Sequence, residues 1–167
     1  MAQNVQYVKV TTTADVDRMC ALAKEIWHEH FTPIIGHDQV VYMLEKFQSP
    51  AAVNGQIKEG YEYYLTMVDD QLVGYIGIHR EPSALFLSKL YLEKSARGKG
   101  YARCGMNFLE KICRENHLEK IWLTVNKYNK NTIAAYQKMG LSIVREQKAD
   151  IGNGFFMDDY IMEKKID

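Results

Sequence analysis

The stretch that decides the fold is Arg97-Gly98-Lys99-Gly100-Tyr101-Ala102-Arg103. The apolar run 85–92 precedes it and has the composition of a β-strand. The residues after it that recur at helical spacing are Ala102, Met106, Leu109, Ile112 and Cys113. The pattern therefore predicts a strand, a short glycine loop and the beginning of a helix.

This loop has the features of an anion site. Its two glycines let the backbone approach a ligand closely and adopt left-handed angles. The unpaired amides and positive dipole of a new helix suit a phosphate or pyrophosphate, and Arg97, Lys99 and Arg103 add positive charge. The alternative is a basic, flexible turn between strand and helix, and glycine spacing alone leaves the two interpretations open.

Two commoner phosphate loops fit the residues less well. A P-loop needs glycine five residues before Gly98, where Glu93 stands, and Ser or Thr after Lys99, where Gly100 stands. A Rossmann fingerprint needs a third glycine at position 103, which is Arg103. Neither nucleotide-binding motif is therefore predicted.

Length and composition predict one domain spanning residues 1–167. The chain has 167 residues, 47% of them apolar, which is enough for one sizeable core. Lys plus Arg and Asp plus Glu are 21 each, so no general basic field attracts nucleic acid or a membrane surface. No apolar run approaches the ~18 residues of a membrane span, and Met1-Ala2-Gln3-Asn4 does not resemble a signal peptide. A cytoplasmic location is expected.

The cysteines predict reduced, packed thiols. Cys20, Cys104 and Cys113 are odd in number, scattered, and placed in predicted helices. Cys104 and Cys113 are nine residues apart, so they lie on opposite faces of one helix and cannot pair. We therefore expect no disulfide framework and no catalytic cysteine.

The first half of the chain begins with a predicted strand at 5–10. A Thr-x-x-Asp signal from Thr12 to Asp15 begins a helix that should end near Pro33, because proline disfavours helical angles just before it. Asp38 is expected to cap a second helix. The polar segment 48–60, rich in Gly, Asn and Pro, is predicted to be a mobile loop.

Strands are then predicted at 61–68 and 72–78, joined by a hairpin turn, and at 85–92. The apolar run 120–125 follows the helix, so it should pair in parallel with 85–92 through a right-handed crossover. The glycine loop then lies at the carboxyl end of a strand, where open α/β sheets bind ligands.

The tail 141–166 should form the last two strands as a hairpin around Gly152-Asn153-Gly154. The predicted fold class is α/β (α+β), with a mixed, mostly antiparallel sheet of six or seven strands flanked by helices. A terminal hairpin can also pair between subunits, so a homodimer is compatible with the sequence.

A second motif lies downstream: Asn129-x-x-Thr132-x-x-x-Tyr136-x-Lys138-x-Gly140-Leu141. Read locally, Asn129 is a helix N-cap, Tyr136 a core aromatic on a short helix, and Gly140 the residue that ends it. These structural interpretations hold for each residue taken alone.

The two motifs together resemble the GCN5-related N-acetyltransferase superfamily. The spacing of Arg97, Gly100 and Ala102 is similar to its Arg/Gln-x-x-Gly-x-Gly/Ala signature. The second motif is similar to its Asn-x-x-Ala/Ser-x-x-x-Tyr-x-Lys-x-Gly-Phe element, with Thr132 for the small residue and Leu141 for Phe. Both motifs occur in the family's order with a strand between them, and the specific resemblance covers residues 85–141.

The resemblance implies acetyl-CoA as cosubstrate, no metal, and direct transfer to an amine in a ternary complex. It implies that the loop around Arg97, Gly98, Lys99, Gly100, Tyr101 and Ala102 holds the pyrophosphate. It also implies that backbone groups of Leu90 and Leu92 bond the pantetheine, and that an N–H in 90–92 faces the thioester oxygen. The Asn129 side chain would meet the pantetheine arm, and the Tyr136 hydroxyl would face the thioester sulfur.

The chemistry fits these few groups. An amine with a pKa near ~10 must lose a proton, and a leaving thiolate with a pKa near ~8.5 benefits from a proton donor. Tyr136 is neutral at physiological pH and is the predicted catalytic residue. The general base is not identified by the sequence; the candidates by location are Ser88, Lys89, His79, Glu81, Glu25 and His28.

The sequence defines the amine that accepts the acetyl group less sharply than it defines the acetyl donor. The N-terminal helices and the tail look like small-molecule members, including spermidine/spermine-type acetyltransferases, and the acidic residues that can attract a polyamine are Glu25, Glu29, Asp158 and Asp159. The alternatives are a peptide N-terminal or lysine acetyltransferase and a CoA-binding regulatory protein without catalysis. Glu25-x-x-His28 has the spacing of a di-iron ligand pair, but no second copy exists, so no metal is predicted.

Overall fold

The computed structural model describes residues 4–167. Its strands are β1 (Val5–Lys9), β2 (Tyr61–Val68), β3 (Gln71–Arg80), β4 (Ala84–Leu92), β5 (Lys120–Asn126), β6 (Ser142–Gly152) and β7 (Phe155–Lys165). Its helices are α1 (Thr13–Ile35), α2 (His37–Gln48), α3 (Pro50–Lys58), α4 (Tyr101–Glu115) and α5 (Lys130–Lys138), with a short 3-10 helix at Lys94–Ala96. None of the helices within this range is long and apolar enough to cross a membrane.

The strands form a seven-stranded sheet in the order β1-β2-β3-β4-β5-β7-β6. β4 and β5 run parallel, with Ala84 opposite Lys120 and Phe86 opposite Trp122. The pairs β1 with β2, β2 with β3, β5 with β7 and β6 with β7 are antiparallel. The predicted mixed, mostly antiparallel sheet is confirmed, and so are the crossover helix and the terminal hairpin.

The chain falls into two compact units. The first contains the described residues up to His79 and residues 89–105, and the second contains 80–88 and 106–167. In the first unit, Val68, Val73, Ala96 and Tyr101 form a buried cluster next to the glycine loop.

In the second unit, the contacts of Lys164 on β7 show which face of the sheet the helices α4 and α5 cover. Lys164 pairs with Glu110 of α4 at 3.2 Å and donates to the carbonyl oxygen of Met139, after α5, at 2.7 Å. Leu109 of α4 and Ile121 of β5 are completely buried. The face to which Lys164 belongs is therefore the one that α4 and α5 cover.

Two predicted helix boundaries were wrong. α1 continues through Pro33 to Ile35 and ends at Gly36, which has a left-handed φ of 88° and donates to the carbonyl of Thr32 at 3.0 Å. Packing of the apolar face of α1, which includes the buried Phe31, outweighs the local bias of proline. Asp38 does not cap α2; it lies in its first turn, where its charge favours the positive helix end.

The predicted mobile loop at 48–60 was also wrong, because most of it is α3. The Ser49 hydroxyl accepts a hydrogen bond from the Ala52 amide at 3.2 Å, and Pro50 occupies the first helical position. Val53 is 1% exposed, so burial of an apolar residue stabilises the helix despite its Asn and Gly.

The cysteines are unpaired, as predicted, but only two of them are shielded. Cys104 is exposed on α4, whereas Cys113 is buried and Cys20 is partly buried. Burial raises the pKa of both Cys20 and Cys113 to about 11. Neither shielded thiol is therefore an activated nucleophile.

Candidate active site

The glycine loop of the first unit has the predicted left-handed backbone. Gly98 has a φ of +76° and Gly100 a φ of +87°, a region that other residues adopt only with strain. A Cβ atom built on either residue would have no heavy atom within 4 Å. The space above this backbone is open, so these glycines are required for conformation and leave room for a ligand.

The loop also leaves a row of backbone donors unused. Within residues 4–167, the amides of 98–102 donate no hydrogen bond, and the first helical bond runs from the Cys104 amide to the Gly100 carbonyl at 3.1 Å. α4 is 15 residues long, so its positive end adds to these donors. The predicted anion site therefore has both the donors and the space that a pyrophosphate requires.

Arg97 and Lys99, two basic residues of the glycine loop, have different surroundings. Arg97 Nε donates to the Leu92 carbonyl at 3.0 Å, and its Nη2 lies 2.7 Å from Glu29 Oε1. This hydrogen bond lowers the pKa of Glu29. Arg97 thus fastens the loop to β4 and α1 and shares its charge with Glu29, whereas Lys99 is exposed beside the free amides.

Tyr101 and Leu92, two other predicted cofactor residues, pack on the buried side of the glycine loop. The Tyr101 side chain is 7% exposed and belongs to the buried cluster of the first unit, against which Leu92 also packs. Tyr101 can therefore offer a ligand only its amide, while its ring anchors the loop. Leu90 and Leu92 are half-buried near the end of β4, and one carbonyl lone pair of Leu92 is used by Arg97.

The predicted residues of the second motif lie in the second unit. Asn129 precedes α5 but its side chain does not cap the helix, and it is 5% exposed. Tyr136 is buried, and burial raises the pKa of its hydroxyl well above the ordinary value. Its side chain makes no hydrogen bond within the described part of the chain, so a protonated donor stays available there.

Lys89 has a structural environment unlike that of a solvent-facing base. It is 5% exposed, and its ammonium donates to the Phe47 carbonyl and to Gln56 Oε1, each at 3.0 Å, and to the Tyr63 hydroxyl. Burial among these neutral groups lowers its pKa to about 7. Lys89 therefore connects β4 to β2 and to the ends of α2 and α3.

Two further base candidates are held by structural contacts. The His79 ring nitrogen lies 3.3 Å from the Glu59 carbonyl, and the ring packs against Tyr61 at 4.7 Å between centroids. Glu81 accepts a hydrogen bond from Trp122 Nε1 at 2.7 Å. Both side chains already have partners that fix local structure.

The remaining candidates are less constrained. His28 lies beside His37, with ring centroids 5.5 Å apart, at the junction of α1 and α2. Glu25 is exposed on α1, and Ser88 is half-buried on β4. None of the three is held in a site with an evident proton partner among the described residues.

An aromatic cluster lies beside β4 in the first unit. Tyr91, between Leu90 and Leu92, has its ring 5.7 Å from Trp27 and 5.9 Å from Phe31 of α1. Tyr75 of β3 lies 5.5 Å from Tyr91. Trp27, Phe31 and Tyr75 are buried and Tyr91 is half-buried, so the cluster holds α1 against β3 and β4, and only Tyr91 can offer part of its ring to a ligand.

The chain has clear relatives. The model of the acetyltransferase (GNAT) family matches residues 18–141. An uncharacterized N-acetyltransferase in the pepI 3′ region of Lactobacillus delbrueckii subsp. lactis is 24% identical over 161 residues, which cover 91% of this chain and 92% of that protein.

Solved structures share the fold. The PaiA N-acetyltransferase from Thermoplasma acidophilum, in complex with coenzyme A, superposes with a TM-score of 0.78 at 20% identity, covering 99% of each chain. A spermidine N-acetyltransferase chimera of Vibrio cholerae SpeG and hSSAT superposes with a TM-score of 0.70 at 16% identity, covering 99% of this chain and 96% of the other.

Proposed function

Because the chain belongs to the acetyltransferase (GNAT) family, we propose that it transfers the acetyl group of acetyl-CoA directly to a primary amine, that of a small molecule such as a polyamine. The row of unused amides at 98–102 carries this proposal. Five backbone donors at one helix end, with open space above Gly98 and Gly100, suit the pyrophosphate of acetyl-CoA.

The other predicted site residues are assigned to the pantetheine arm and to the acetyl transfer itself. Backbone groups of Leu90 and Leu92 bond the pantetheine, and an N–H of this segment stabilises the negative charge that develops on the thioester oxygen. Asn129 contacts the pantetheine arm. Tyr136 gives its proton to the departing thiolate. No step requires a metal ion.

The charges favour a cationic acceptor, though with fewer groups than the sequence suggested. Glu29 is paired with Arg97, and Asp158 lies 3.1 Å from Lys127. Glu25 is exposed and Asp159 is buried without an ion pair, so these two carboxylates remain to attract an amine. The shared fold with a spermidine acetyltransferase chimera makes spermidine the first acceptor to test.

A thiol-release assay tests the proposal. Purified protein and acetyl-CoA are incubated with spermidine, spermine, simple monoamines, and peptides that offer an N-terminal amine or a lysine. Release with small amines but not with peptides supports the proposal, whereas release with peptides alone reassigns the acceptor. If calorimetry shows acetyl-CoA binding but no amine is acetylated, the protein is a CoA-binding regulator. The cytoplasmic location and the homodimer stay predictions.

The Gly100→Ala variant is expected to bind acetyl-CoA about tenfold more weakly, since a loss of ~1.4 kcal/mol corresponds to that factor. An alanine strains the left-handed backbone and places a methyl group in the open space above the amides. Calorimetric titration with acetyl-CoA measures the effect.

Gly154→Ala is the matched control, because Gly154 also has a left-handed φ, +78°, and no heavy atom within 4 Å of an added Cβ. It lies in the turn between β6 and β7. The two variants should lose similar stability but only Gly100→Ala should lose affinity. Equal affinities would contradict the proposed role of the loop.

A further inference from the structure

Asp159 is a buried carboxylate without a partner. It is 5% exposed, and its side chain makes no hydrogen bond within residues 4–167. A buried carboxylate is normally hydrogen-bonded or ion-paired, because removing its charge from water is costly. Its oxygens are not completely enclosed, so the carboxylate can still contact solvent or a bound acceptor.

The register of β7 fixes the face on which Asp159 lies. Side chains alternate along a strand, and Lys164 belongs to the face that α4 and α5 cover. Asp159, an odd number of residues away, lies on the opposite face together with Ile161 and Glu163. Its ladder partner there is Asn126 of β5.

Asn126 places Asp159 at the end of β5 from which the second motif continues, on the face of the sheet opposite the one that α5 covers. It is the last residue of β5, and its carbonyl accepts a hydrogen bond from the Asn129 amide at 3.0 Å. α5 with Tyr136 begins directly after Asn129. The unpartnered carboxylate therefore lies beside the carboxyl end of β5, where the residues assigned to the acetyl donor begin.

The charges around Asp159 leave it without an ion pair. Lys127 is taken by Asp158 at 3.1 Å and by Glu146 at 3.4 Å, and the ladder partners Asn126 and Gln147 are neutral. Burial, reinforced by Asp158 and opposed by Lys127, raises the pKa of Asp159 to about 6. The group is thus ionised near pH 7.5 and is a stronger base than an exposed aspartate.

We propose that Asp159 is the general base of the transfer, the group that receives the proton of the attacking amine. This inference rests on the proposed function. It is favoured over Lys89, whose three hydrogen-bonding partners already occupy its ammonium, and over the partnered side chains of His79 and Glu81.

The reaction balances with two proton transfers. The nitrogen lone pair of the neutral amine attacks the thioester carbon, a C–N bond forms, and the nitrogen becomes cationic. Asp159 takes one proton from that nitrogen. The C–S bond then breaks, the electron pair leaves with sulfur, and Tyr136 gives its proton to the thiolate. Solvent returns the proton from Asp159 to Tyr136, so the products are the acetamide and CoA thiol.

Asp159→Asn tests the role, with the neighbouring Asp158→Asn as the matched control. At pH 7.5 with spermidine, or the best acceptor of the thiol-release panel, Asp159→Asn should lose about a hundredfold in kcat/KM and keep its acetyl-CoA affinity. In the wild type, kcat/KM should decrease as the pH is lowered below about 6. This acidic limb of the pH profile should be missing in Asp159→Asn. Asp158→Asn should keep the rate near that of the wild type at pH 7.5 and retain an acidic limb, displaced to lower pH because the Asp158 charge raises the pKa of Asp159.

The proton role can be separated from a binding role with fluorinated amines. Fluorine on the carbon adjacent to the amine-bearing carbon lowers the pKa of the amine. Loss of the proton from its nitrogen then needs less help from a base. The rate lost in Asp159→Asn should therefore be smaller for a fluorinated amine than for its parent. Equal losses would show that Asp159 only binds the acceptor and would overturn the proposal.

Thermal unfolding provides a readout that needs no acceptor. The pKa of Asp159 is raised in the folded state, so its ionisation costs stability as the pH rises through about 6. Asp159→Asn should therefore raise Tm by several degrees at pH 7.5 and change it little at pH 4. A lower Tm at pH 7.5 would reveal a structural partner and overturn the premise.

The failures are distinguishable. If the wild-type protein acetylates no amine, the proposed function fails and this role fails with it. If the wild-type protein is active and Asp159→Asn is equally active with an unchanged pH profile, only the role of Asp159 is refuted.

Discussion

The Tyr136→Phe variant is expected to turn over about a hundredfold more slowly while binding acetyl-CoA with unchanged affinity, because general acid catalysis contributes a factor of this order. Burial keeps the Tyr136 hydroxyl protonated, and no hydrogen bond within residues 4–167 occupies it. Phenylalanine preserves the ring and removes only the proton that the departing thiolate would receive.

The measurement is steady-state thiol release together with calorimetric titration of acetyl-CoA. A loss in kcat with little change in the acetyl-CoA Kd indicates an interaction made only in the transition state. Tyr128→Phe is the control, because Tyr128 lies just before α5 and is 64% exposed. Full activity of Tyr136→Phe with every good acceptor would rule out the proton-donor role.

The stability of the wild-type protein relative to Lys89→Met is expected to rise by about 3 kcal/mol between pH 7 and pH 9.5, from the difference between the two pKa values of Lys89. Burial lowers its folded pKa to about 7, whereas the unfolded chain has the ordinary value near ~10.4. Between pH 7 and pH 9.5 the unfolded state binds more protons at Lys89 than the folded state does. The free energy of unfolding therefore increases with pH.

Urea unfolding of both proteins at the two pH values measures this difference. The comparison is needed because the raised pKa values of Cys20 and Cys113 act in the opposite direction; the contribution of Cys113 cancels between the two proteins, and that of Cys20, whose pKa Lys89 lowers, cancels in part. Lys99→Met, at an exposed site, should leave the pH dependence unchanged. If the curves of wild type and Lys89→Met run parallel, Lys89 is charged in the folded protein throughout this range.

Most of the fold was predictable because its signals are local. Thr12 accepts a hydrogen bond from the Asp15 amide at 3.1 Å, as the capping signal predicts. Asp69 and Asp70 have positive φ in the turn between β2 and β3, and Asn153 does so between β6 and β7. Turns with positive φ at Asp, Asn or Gly between alternating apolar runs favour hairpins.

The errors arose where burial outweighs composition. In 48–60, the Pro, Asn and Gly residues predicted a loop, although Ser49 and Pro50 also fit the beginning of a helix, and burial of Val53 stabilises α3. In α1, Pro33 suggested an end that packing postponed to Gly36. The cost of Asn or Gly in α3, at most about 1 kcal/mol each, is smaller than the burial of one apolar side chain, whereas the cost of Pro33, about 3 kcal/mol, is offset by the several buried residues of α1.

The sequence by itself determined the order of the strands and of every helix except α3, the left-handed glycines at 98 and 100, and the family to which the two motifs belong. Only the tertiary structure decided that Arg97 is paired with Glu29, that Lys89 is buried among neutral groups, and that Asp159 is buried without a partner. Backbone geometry depends on neighbouring residues and is written in their spacing. The state of a charge depends on desolvation and on partners that are distant in the chain, so it is defined only when the chain has folded.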